Sequence, residues 1–351
     1  MKRKSTITNK NNFIKLDKNE SYFFLDKKIL NEINKFDSSI ISRYPEYNEI
    51  KKLLASHCGL KQEKIILTNG ADQAIWLIIQ TFFKERDEVL LPVPTFIAIT
   101  SALRFVDIKS KIIFYKEDGN KFVFPLTEVL FSINRKTKGI ILCNPNNPLG
   151  SSITKKEISL ILNRAKQFKI PVIIDEVYSE FSSYSSVKLT EKYKNLIIIK
   201  SFSKEFAMAG LRLGYIIANQ DIVKRLEEKR GLPWSVNHFA IYTAKILLRR
   251  MDYFRKKIKE VLIRKKDLIS FLRKQGIKCR DTDTNFIIIK SSNHRKLIQD
   301  LKSKGILVSD VSKYDFGQKL LKGTIRMSVP SKTDIRRVKM AFEKKPESLI
   351  S

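Results

Sequence analysis

Short apolar runs alternate with amphipathic helical segments along the first two thirds of this chain of 351 residues. Each run has only about four or five residues, too few for a helix, and isoleucine, leucine and valine dominate it, as in strands buried on both faces. Strands of this kind, separated by helices, form a mostly parallel sheet covered by helices on both sides. The pattern therefore predicts an α/β fold. We place its strands at residues 64–67, 88–91, 111–115, 139–143, 171–175 and 195–199.

The pattern changes after about residue 225. The sequence there predicts one long basic helix at about 237–275, strands at 285–289, 305–308 and 324–329, and a helix around 295–303. Such a mixture indicates a smaller α+β domain. A chain of this length also exceeds the usual size of one domain. We therefore predict three parts: an N-terminal segment, 13–40, that packs with the small domain; a large domain, 41–240; and a small C-terminal domain, 241–351.

The few cysteines and histidines form no pattern that indicates a metal site or a disulfide framework. They are Cys58, Cys143 and Cys279, without a C-x-x-C pair, and the scattered His57, His238 and His294, which we predict to be non-catalytic. We expect no metal, reduced thiols and a cytoplasmic location. No apolar stretch is long enough to span a membrane, and the basic N-terminus is not followed by the apolar region of a signal peptide.

The net charge of +32 is the unusual feature of the composition, and it raises the question of nucleic-acid binding. The basic residues, however, are spread along the whole chain and interleaved with apolar runs, and they form no single arm or recognition helix. We therefore expect no specific nucleic-acid partner. A positive charge of this size should still attract small anionic substrates.

Polar or small residues follow four of the predicted strands: Gly70, Asn147, Asp175 and Lys204. In a parallel sheet, ligands bind beyond the carboxyl ends of the strands. The spacing therefore predicts that these residues meet at one edge of the sheet. The turn that contains Gly70 also opens a helix, so the backbone N–H groups of Ala71 and Asp72 are available to an anion.

The segment 201–215 has the residues for one particular chemistry. The amine of Lys204 can form an imine with an aldehyde cofactor, while Ser201, Ser203 and Arg212 hold an anionic group of that cofactor. The alternative is a surface lysine in a lysine-rich chain. Likewise, Asp175 at a strand end is also suited to cap a helix.

Three motifs in order along the chain carry a family resemblance: Asn-Pro-Asn-Asn-Pro-Leu-Gly at 144–150, Asp-Glu-Val-Tyr at 175–178, and the segment 201–215. With Arg-Tyr-Pro at 43–45, Gly-Ala-Asp at 70–72 and the late Arg326, they cover nearly the whole chain. The sequence resembles the fold-type-I, pyridoxal-phosphate-dependent aminotransferases of class I and II, and most of all the histidinol-phosphate aminotransferase branch. The resemblance implies a PLP-dependent transferase-like fold, in which a large cofactor-binding domain with a mostly parallel central sheet joins a smaller α+β domain.

The resemblance also implies roles for individual residues. Lys204 carries the Schiff base and moves the proton, Asp175 pairs with the pyridine nitrogen, and Tyr178 and Asn147 pair with the phenolic oxygen. The phosphate of pyridoxal 5'-phosphate is held by Gly70, Ala71, Asp72, Ser201, Ser203 and Arg212, and by Tyr44 of the partner subunit in a homodimer. Phe96 stacks on the ring, although a core phenylalanine is the alternative. Arg326, Asn147 and Tyr22 bind the substrate, although Arg326 is also suited to a structural ion pair.

Two departures from the branch concern the substrate. Ser309 stands where the branch commonly has an arginine, and a serine does not offer the bidentate phosphate clamp of an arginine. The run 19–22, Asn-Glu-Ser-Tyr, lacks the proline and glycine that usually follow Asn-Glu. The predicted reaction is amino-group transfer between an amino acid, or an amino-alcohol phosphate such as histidinol phosphate, and a 2-oxo acid. For a phosphorylated substrate, Lys313 or another base would replace the arginine.

Three alternatives to this function stay open at this point. One is a decarboxylase of an amino-acid phosphate, similar to threonine-phosphate decarboxylase, because both reactions break a bond at Cα with the same cofactor. The second is an aminotransferase for non-phosphorylated aromatic or other amino acids. The third is a sensor or nucleic-acid-binding protein that uses the same fold to hold a ligand.

Overall fold

The structure is a computed structural model, and it describes residues 13–23 and 25–343. Its helices are α1 (Lys27–Ile33), α2 (Asn48–Cys58), α3 (Gly70–Phe82), α4 (Ile97–Phe105), α5 (Leu126–Ser132), α6 (Lys155–Gln167), α7 (Phe202–Glu205), α8 (Gln220–Glu228), α9 (His238–Leu248), α10 (Met251–Lys274), α11 (His294–Ser303), α12 (Gly317–Leu320) and α13 (Ile335–Glu343). Its strands are β1 (Ile14–Lys15), β2 (Ile65–Asn69), β3 (Glu88–Val93), β4 (Lys109–Phe114), β5 (Lys116–Asp118), β6 (Lys121–Val123), β7 (Thr137–Cys143), β8 (Val172–Asp175), β9 (Leu196–Ser201), β10 (Leu213–Ala218), β11 (Cys279–Arg280), β12 (Phe286–Lys290), β13 (Ile306–Leu307), β14 (Ser309–Asp310) and β15 (Thr324–Ser328).

Seven strands form the central sheet, in the order β2-β10-β9-β8-β7-β3-β4. Neighbours pair in parallel except for β10, which runs antiparallel to both β2 and β9. The register aligns Cys143 of β7 with Asp175 of β8, and Asp175 with Ile199 of β9. The prediction of a mostly parallel sheet is therefore confirmed, and the carboxyl ends of its central strands lie side by side.

The apolar runs bury both faces of this sheet. Ile174 and Ile198 belong to one hydrophobic cluster, whereas Ile173 and Ile197 belong to another on the opposite face. Successive side chains of a strand point to opposite faces, so a continuous apolar run is what two helical layers require. Helix α3 packs into the second cluster through residues such as Ile78.

The second sheet is antiparallel, with strand order β11-β12-β15-β14. Leu268 of α10, Leu297 of α11 and Phe342 of α13 pack on it in a third hydrophobic cluster. Strand β1 pairs in parallel with β13, and Ile14 lies in the same cluster. The N-terminal segment thus contacts the C-terminal part of the chain, whereas the division into domains stays a prediction.

The prediction of one long helix over 237–275 is wrong. Two helices, α9 and α10, are separated by Arg249 and Arg250. The side chain of Asn237 caps α9 by accepting a hydrogen bond from the backbone N–H of Ala240 at 2.8 Å. The break lets α9 pack with α1 and α2, while the later turns of α10 pack on the second sheet. Strand β10 and the β5–β6 hairpin were also absent from the prediction.

Candidate cofactor and substrate site

A cavity of about 510 Å³ lies at the carboxyl edge of the central sheet. Its walls come from the ends of the sheet strands, from the N-terminal segment and from the second sheet. Most of the residues that the sequence predicted for the site line this cavity. They are Ala71, Asp72, Phe96, Asn147, Asp175, Tyr178, Ser201, Ser203, Lys204, Arg212 and Arg326. The structure therefore brings together residues that are spread over most of the chain.

Asp175 ends strand β8, and only 3% of it is exposed. Its Oδ1 atom accepts a hydrogen bond from the backbone N–H of Val177 at 3.1 Å. Burial raises the pKa of Asp175 to about 7, because the charged form loses water, and the negative charge of Asp72 adds to the effect. A cation bound beside Asp175 would favour the ionised carboxylate. The cavity floor thus has a carboxyl group whose charge depends on what is bound to it.

Lys204 lies in the one-turn helix α7, directly after strand β9. Its Nζ atom donates a hydrogen bond to the backbone carbonyl of Lys18 at 3.0 Å and lies 5.9 Å from the centre of the Tyr178 ring. Burial lowers the pKa of Lys204 to about 8, and the positive charge of Arg326 contributes in the same direction. A substantial fraction of the amine is therefore neutral near physiological pH, which is the form that attacks a carbonyl carbon.

An anion cup, formed by Ala71, Asp72, Ser201, Ser203 and Arg212, occupies one end of the cavity. Helix α3 begins at Gly70, so the first N–H groups of the helix have no partner within it and are available to an anion. Ser201 caps α7 by accepting from the backbone N–H of Ser203 at 3.1 Å. Arg212 donates from Nη2 to Oδ2 of Asp72 at 2.7 Å. Hydroxyls, N–H groups and a guanidinium together suit a phosphate.

Gly70 does not line the cavity itself, but it shapes the anion cup. Its φ is +70°, a left-handed conformation that favours glycine. A Cβ atom at this position would lie only 2.8 Å from Nη2 of Arg212. The absence of a side chain therefore lets the guanidinium of Arg212 approach the start of α3.

Arg326 and Asn147 form the opposite side of the cavity. Arg326 donates from Nη1 to Oδ1 of Asn147 at 2.5 Å and from Nη2 to the carbonyl of Asp17 at 2.9 Å. Its Nε atom is buried without a hydrogen-bond partner, and no carboxylate pairs with it within the described part of the chain. Tyr178 accepts a hydrogen bond from Nδ2 of Asn19 at 2.9 Å. These two bonds use two of the five N–H groups of the guanidinium, so Arg326 is a buried cation with donors left for a ligand.

Besides Gly70, two predicted site residues do not line the cavity, namely Tyr22 and Tyr44. Tyr22 donates its hydroxyl hydrogen bond to Oε2 of Glu20 at 3.0 Å and packs against the third hydrophobic cluster. Tyr44 is 73% exposed and stacks on Trp234, with ring centres 4.5 Å apart. A substrate contact by Tyr22 and a phosphate contact by Tyr44 of the partner subunit therefore stay predictions. Phe96 lines the cavity and also packs into the core beneath α4.

Ser309, the first departure from the branch, and Lys313, its predicted replacement, also lie outside the cavity lining. Ser309 pairs with Arg326 in the second sheet, so an arginine at that position would be next to Arg326. Lys313 has a side chain that is 74% exposed, and its Nζ atom faces Asp310 at 3.6 Å. Lys313 does not replace an arginine in this arrangement. Besides Lys204, Arg212 and Arg326, the lining residues include one more basic residue, Lys18 of the N-terminal segment.

Sequence reasoning missed the N-terminal wall of the cavity and Tyr314. The wall consists of Asp17, Lys18, Asn19 and Glu20. The one signal for it was a polar run after a short strand, and Asn19, which is 1% exposed, has a positive φ of 52°. Tyr314 follows a short 3₁₀ turn, and nothing in the sequence distinguishes it from other tyrosines.

Comparison with known proteins agrees with the fold and the site. A family model described as aminotransferase class I and II matches residues 11–344. The histidinol-phosphate aminotransferase of Thermoanaerobacter sp. (strain X514) is 33% identical over 90% of this chain and 88% of its own length. The putative threonine-phosphate decarboxylase of Caldanaerobacter subterraneus subsp. tengcongensis is 31% identical over 84% of this chain and 80% of its own. The crystal structure of the histidinol-phosphate aminotransferase from Clostridium acetobutylicum superposes with a TM-score of 0.85, at 25% identity, over 96% of this chain and 100% of that one.

The fold and the cavity define an α/β enzyme in which a lysine, an aspartate and an anion cup face one another at the edge of a mostly parallel sheet. The chain belongs to the aminotransferase class I and II family, and it is a pyridoxal-phosphate-dependent aminotransferase of the histidinol-phosphate aminotransferase branch. The predicted family, fold class and enzyme class are confirmed. Enzymes of this family act on amino and oxo acids. The described helices include none that is long and apolar enough to cross a membrane.

Proposed function

We propose that the cavity of this chain binds pyridoxal 5'-phosphate, and that Lys204 is the residue that reacts with its aldehyde. The anion cup would hold the phosphate, Asp175 the pyridine nitrogen, and Asn147 and Tyr178 the phenolic oxygen. The donor set fits each of these groups: a buried carboxyl for a protonated nitrogen, amide and phenol groups for an oxygen anion, and N–H and hydroxyl donors for a phosphate. When bound, the cofactor supplies a ring that takes up the charge left when a bond at Cα breaks.

The residues of the chain would then bind and orient the substrate and move its proton. Lys204, with a pKa lowered to about 8 by burial, holds and releases a proton near neutral pH, as a general base requires. Phe96 would cover one face of the cofactor ring, and the N-terminal wall would restrict the access of water to Lys204. The geometry thus supports an acid–base role for Lys204 in proton transfer at Cα.

We further propose that the substrate is an amine with a single anionic group, and that histidinol phosphate is the first candidate. The observation that carries this proposal is Arg326, a 3% exposed cation in the cavity wall whose buried Nε has no partner. The name of the relative from Thermoanaerobacter adds support for histidinol phosphate. Lys18 would supply the second positive charge in place of the arginine that Ser309 replaces.

Two other substrates compete with histidinol phosphate on specific grounds. The relative named a putative threonine-phosphate decarboxylase shows that a similar sequence is associated with a different reaction. Ser309 favours non-phosphorylated amino acids. With a serine at this position Arg326 is left without the second arginine of the branch, and one arginine suffices to bind a carboxylate. These three substrate classes differ in their products, so they are separable by experiment.

The decisive experiment combines an absorption spectrum with product analysis. The purified protein, loaded with pyridoxal phosphate, is mixed in turn with histidinol phosphate, threonine phosphate and a panel of aromatic amino acids. We expect histidinol phosphate to convert the bound cofactor to its amine form, and addition of a 2-oxo acid to restore the original spectrum. Release of carbon dioxide from threonine phosphate would establish the decarboxylase, and a response to aromatic amino acids alone would reassign the substrate.

A test variant and a control variant make the same experiment specific for Lys204. Lys204→Ala should bind the cofactor without the spectral change and lose amino-group transfer. Lys64→Ala removes a lysine whose Nζ lies 3.4 Å from the carbonyl of Thr190, away from the cavity, and should behave as the unmodified chain. An active Lys204→Ala would overturn the assignment of the reactive lysine.

We also propose that the protein is a homodimer. Tyr44, Leu232 and Trp234 are 53–73% exposed and line a second hollow of about 470 Å³, and Ile41, near Tyr44 in sequence, is exposed as well. Exposed apolar patches of this kind favour association, and in a homodimer Tyr44 would reach the anion cup of the partner subunit. Sedimentation should show a dimer, and a Trp234→Glu variant should shift it toward the monomer and weaken cofactor binding.

For the location, we propose the cytoplasm. Cys58, Cys143 and Cys279 are all free thiols, and Cys143 and Cys279 are buried. Unpaired thiols are typical of reducing compartments. Cell fractionation would test this proposal.

A further inference from the structure

A cluster of charged side chains lies within the protein, outside the lining of the cavity. We refer to Glu176, Glu180, Lys200, Glu205 and His57 as the acid cluster. Four of these residues are close neighbours in sequence of residues that line the cavity. Glu176 follows Asp175, Glu180 comes two positions after Tyr178, and Lys200 and Glu205 flank the stretch from Ser201 to Lys204. Each segment therefore contributes one side chain to the cavity and another to the acid cluster.

Lys200 is the centre of this cluster, and it is 4% exposed. Its Nζ atom donates to Oγ of Ser179 at 2.5 Å and to Oε1 of Glu180 at 2.8 Å, and it lies 3.9 Å from Oε2 of Glu176. Burial alone would lower the pKa of Lys200, but the neighbouring carboxylates outweigh it and raise that pKa. The positive charge of Lys200 is thus already compensated by the carboxylates of two other residues.

Glu205 is the carboxyl group of the acid cluster that does not pair with Lys200. It is 4% exposed, and its Oε1 atom has no hydrogen-bond partner in the part of the chain that the structure describes. His57 of α2 lies across from it, with Nε2 at 3.8 Å from Oε1 of Glu205, and the charges of Glu180, Lys200 and Arg255 also act on this carboxyl. The aromatic residues Phe202 and Phe206 stack on each other on either side of Glu205 in sequence, with ring centres 4.5 Å apart. Burial of a carboxyl group without a hydrogen-bond partner costs free energy, and the cost is largest for the ionised form.

Charge and geometry together indicate a neutral pair. Burial raises the pKa of Glu205 well above its usual value, and the negative charge of Glu180 adds to this, while Lys200 and Arg255 act in the opposite direction. Burial likewise lowers the pKa of His57. The neutral carboxylic acid is a hydrogen-bond donor, and the neutral imidazole has one nitrogen that accepts. The two groups lie in contact, with Nε2 of His57 at 3.8 Å from Oε1 of Glu205, a separation longer than a hydrogen bond.

The position of Glu205 links this pair to Lys204. The two residues are adjacent in the single turn of helix α7, which four residues alone form. The carbonyl of Lys204 accepts a hydrogen bond from Oγ of Ser21 of the N-terminal segment at 2.5 Å. Glu205 faces His57, which belongs to α2 and hence to a separate part of the core. A short helix has few backbone hydrogen bonds of its own, so its orientation depends on such contacts.

We propose that Glu205 is a positioning residue for Lys204: by pairing with His57 it fixes the single turn of α7 so that the Lys204 side chain points into the cavity. This inference rests on the role proposed above for Lys204. Glu205 contacts neither the cavity nor its ligands, and it acts only through α7.

The test uses the protein loaded with pyridoxal phosphate, with three variants. Glu205→Ala removes the carboxyl, Glu205→Gln keeps a neutral group of the same shape that can donate to His57, and His57→Leu removes the partner. Glu88→Gln is the matched control, because Oε1 of Glu88 is likewise buried without a partner but lies at the start of β3, at the opposite edge of the sheet. The readouts are the pH midpoint of the absorption change of the bound cofactor, kcat and KM for the amino donor, and Tm of the cofactor-free protein.

We expect Glu205→Ala to lower kcat about tenfold at an unchanged KM, and to shift the pH midpoint of the absorption change by about one unit. His57→Leu should give the same changes, and the double variant Glu205→Ala/His57→Leu no more than either alone, because both remove one interaction. Glu205→Gln and Glu88→Gln should stay within about twofold of the unmodified chain in kcat.

Three results would overturn the proposal. In the first, Glu205→Ala lowers Tm but leaves kcat and the pH midpoint unchanged, so that its role is structural alone. In the second, Glu205→Gln is as impaired as Glu205→Ala, so that a charged carboxylate is required. In the third, the effects of Glu205→Ala and His57→Leu add up in the double variant. If Glu205→Ala does not fold, His57→Leu and Glu205→Gln decide the question. An unmodified chain that shows no cofactor absorption would instead contradict the proposed role of Lys204.

Discussion

The guanidinium of Arg326 donates a hydrogen bond to the side-chain oxygen of Asn147 at 2.5 Å, although 179 positions separate the two residues. Arg326 belongs to β15 of the second sheet, whereas Asn147 follows β7 of the central sheet. The bond therefore joins the two sheets at the cavity. A substrate anion at Arg326 and the cofactor oxygen proposed for Asn147 would lie on neighbouring groups, which places substrate and cofactor next to each other.

Arg326→Lys should weaken substrate binding and leave cofactor binding intact. A lysine keeps the charge but loses the planar, bidentate donor, and charge-assisted hydrogen bonds contribute about 1.5–3 kcal/mol each. We expect kcat/KM to fall roughly 10- to 100-fold, mainly through KM, with the Kd for pyridoxal phosphate unchanged. Steady-state kinetics and a cofactor titration measure both quantities. The exposed Arg295→Lys serves as the control, and an unchanged KM in Arg326→Lys would show that the anion binds elsewhere.

Asp175→Asn should change the pH dependence of stability in the cofactor-free protein. The pKa of Asp175 is about 7 in the folded chain, against an ordinary value of 3.8, so the folded state holds the proton more tightly. Stability due to this proton is fully present below pH 4 and is lost as the pH rises to about 7. Asparagine does not titrate. The free energy of unfolding of the variant should therefore rise relative to that of the original chain over this range, by on the order of 4 kcal/mol at most. Denaturant unfolding at pH 4 and pH 8 measures the difference.

The same variant should be nearly inactive once loaded with cofactor. An asparagine cannot keep the pyridine nitrogen protonated, and loss of such electrostatic stabilisation lowers kcat about 100- to 1000-fold. A variant that kept both full activity and the original pH dependence of stability would contradict the placement of Asp175 against the cofactor. Asp267→Asn, which removes an exposed carboxylate paired with Lys339, is the control.

Gly70→Ala should weaken cofactor binding because the new methyl group displaces Arg212. The Cβ atom would lie 2.8 Å from Nη2 of Arg212, and the φ of +70° adds a strain of about 1–2 kcal/mol. We expect the Kd for pyridoxal phosphate to rise about tenfold. Gly119→Ala is a matched control, since Gly119 has a φ of +53° and open space around it. It should lose similar stability but bind the cofactor normally, and equal binding by both alanine variants would rule out the steric explanation.

Asp315→Asn should loosen the segment that carries Tyr314 over the cavity. Asp315 accepts hydrogen bonds through Oδ2 from Oγ1 of Thr100 at 2.9 Å and from Nη2 of Arg104 at 2.6 Å. The pair with Arg104 is largely exposed, and such pairs contribute only up to about 1 kcal/mol. We expect KM for the amino donor to rise about two- to fivefold, with a smaller effect at high salt. Glu85→Gln, which removes the exposed pair with Arg86, should have no effect on KM.

The residues that the sequence revealed are those whose position follows from local rules. Asp175 ends a strand with an obvious apolar run, Asn147 and Lys204 follow two others, and the carboxyl ends of parallel strands share one edge. The alternation of apolar runs with helical segments likewise predicted a mostly parallel sheet correctly. The motif resemblance then assigned chemistry to these positions, which the strand pattern alone does not do.

The residues that the sequence did not reveal depend on contacts between distant segments. Asn19 reaches Tyr178 because β1 pairs with β13, a pairing of only two residues on each strand. The acid cluster is formed by charged residues that look like solvated surface in a chain with 68 lysines and arginines. The break between α9 and α10 was missed because apolar residues continue on both sides of it with helical spacing. Tertiary packing decides each of these cases.

Strand β10 has a consequence for the exchange of sequence between related enzymes. Because β10 is antiparallel to β9, residues 202–212 leave the sheet and return to it at the same edge. Lys204 and Arg212 are therefore two ends of one short connection anchored by two neighbouring strands. We expect this connection to be exchangeable as a unit between homologous scaffolds. A chimera that receives only half of it would combine the amine of one enzyme with the guanidinium of another.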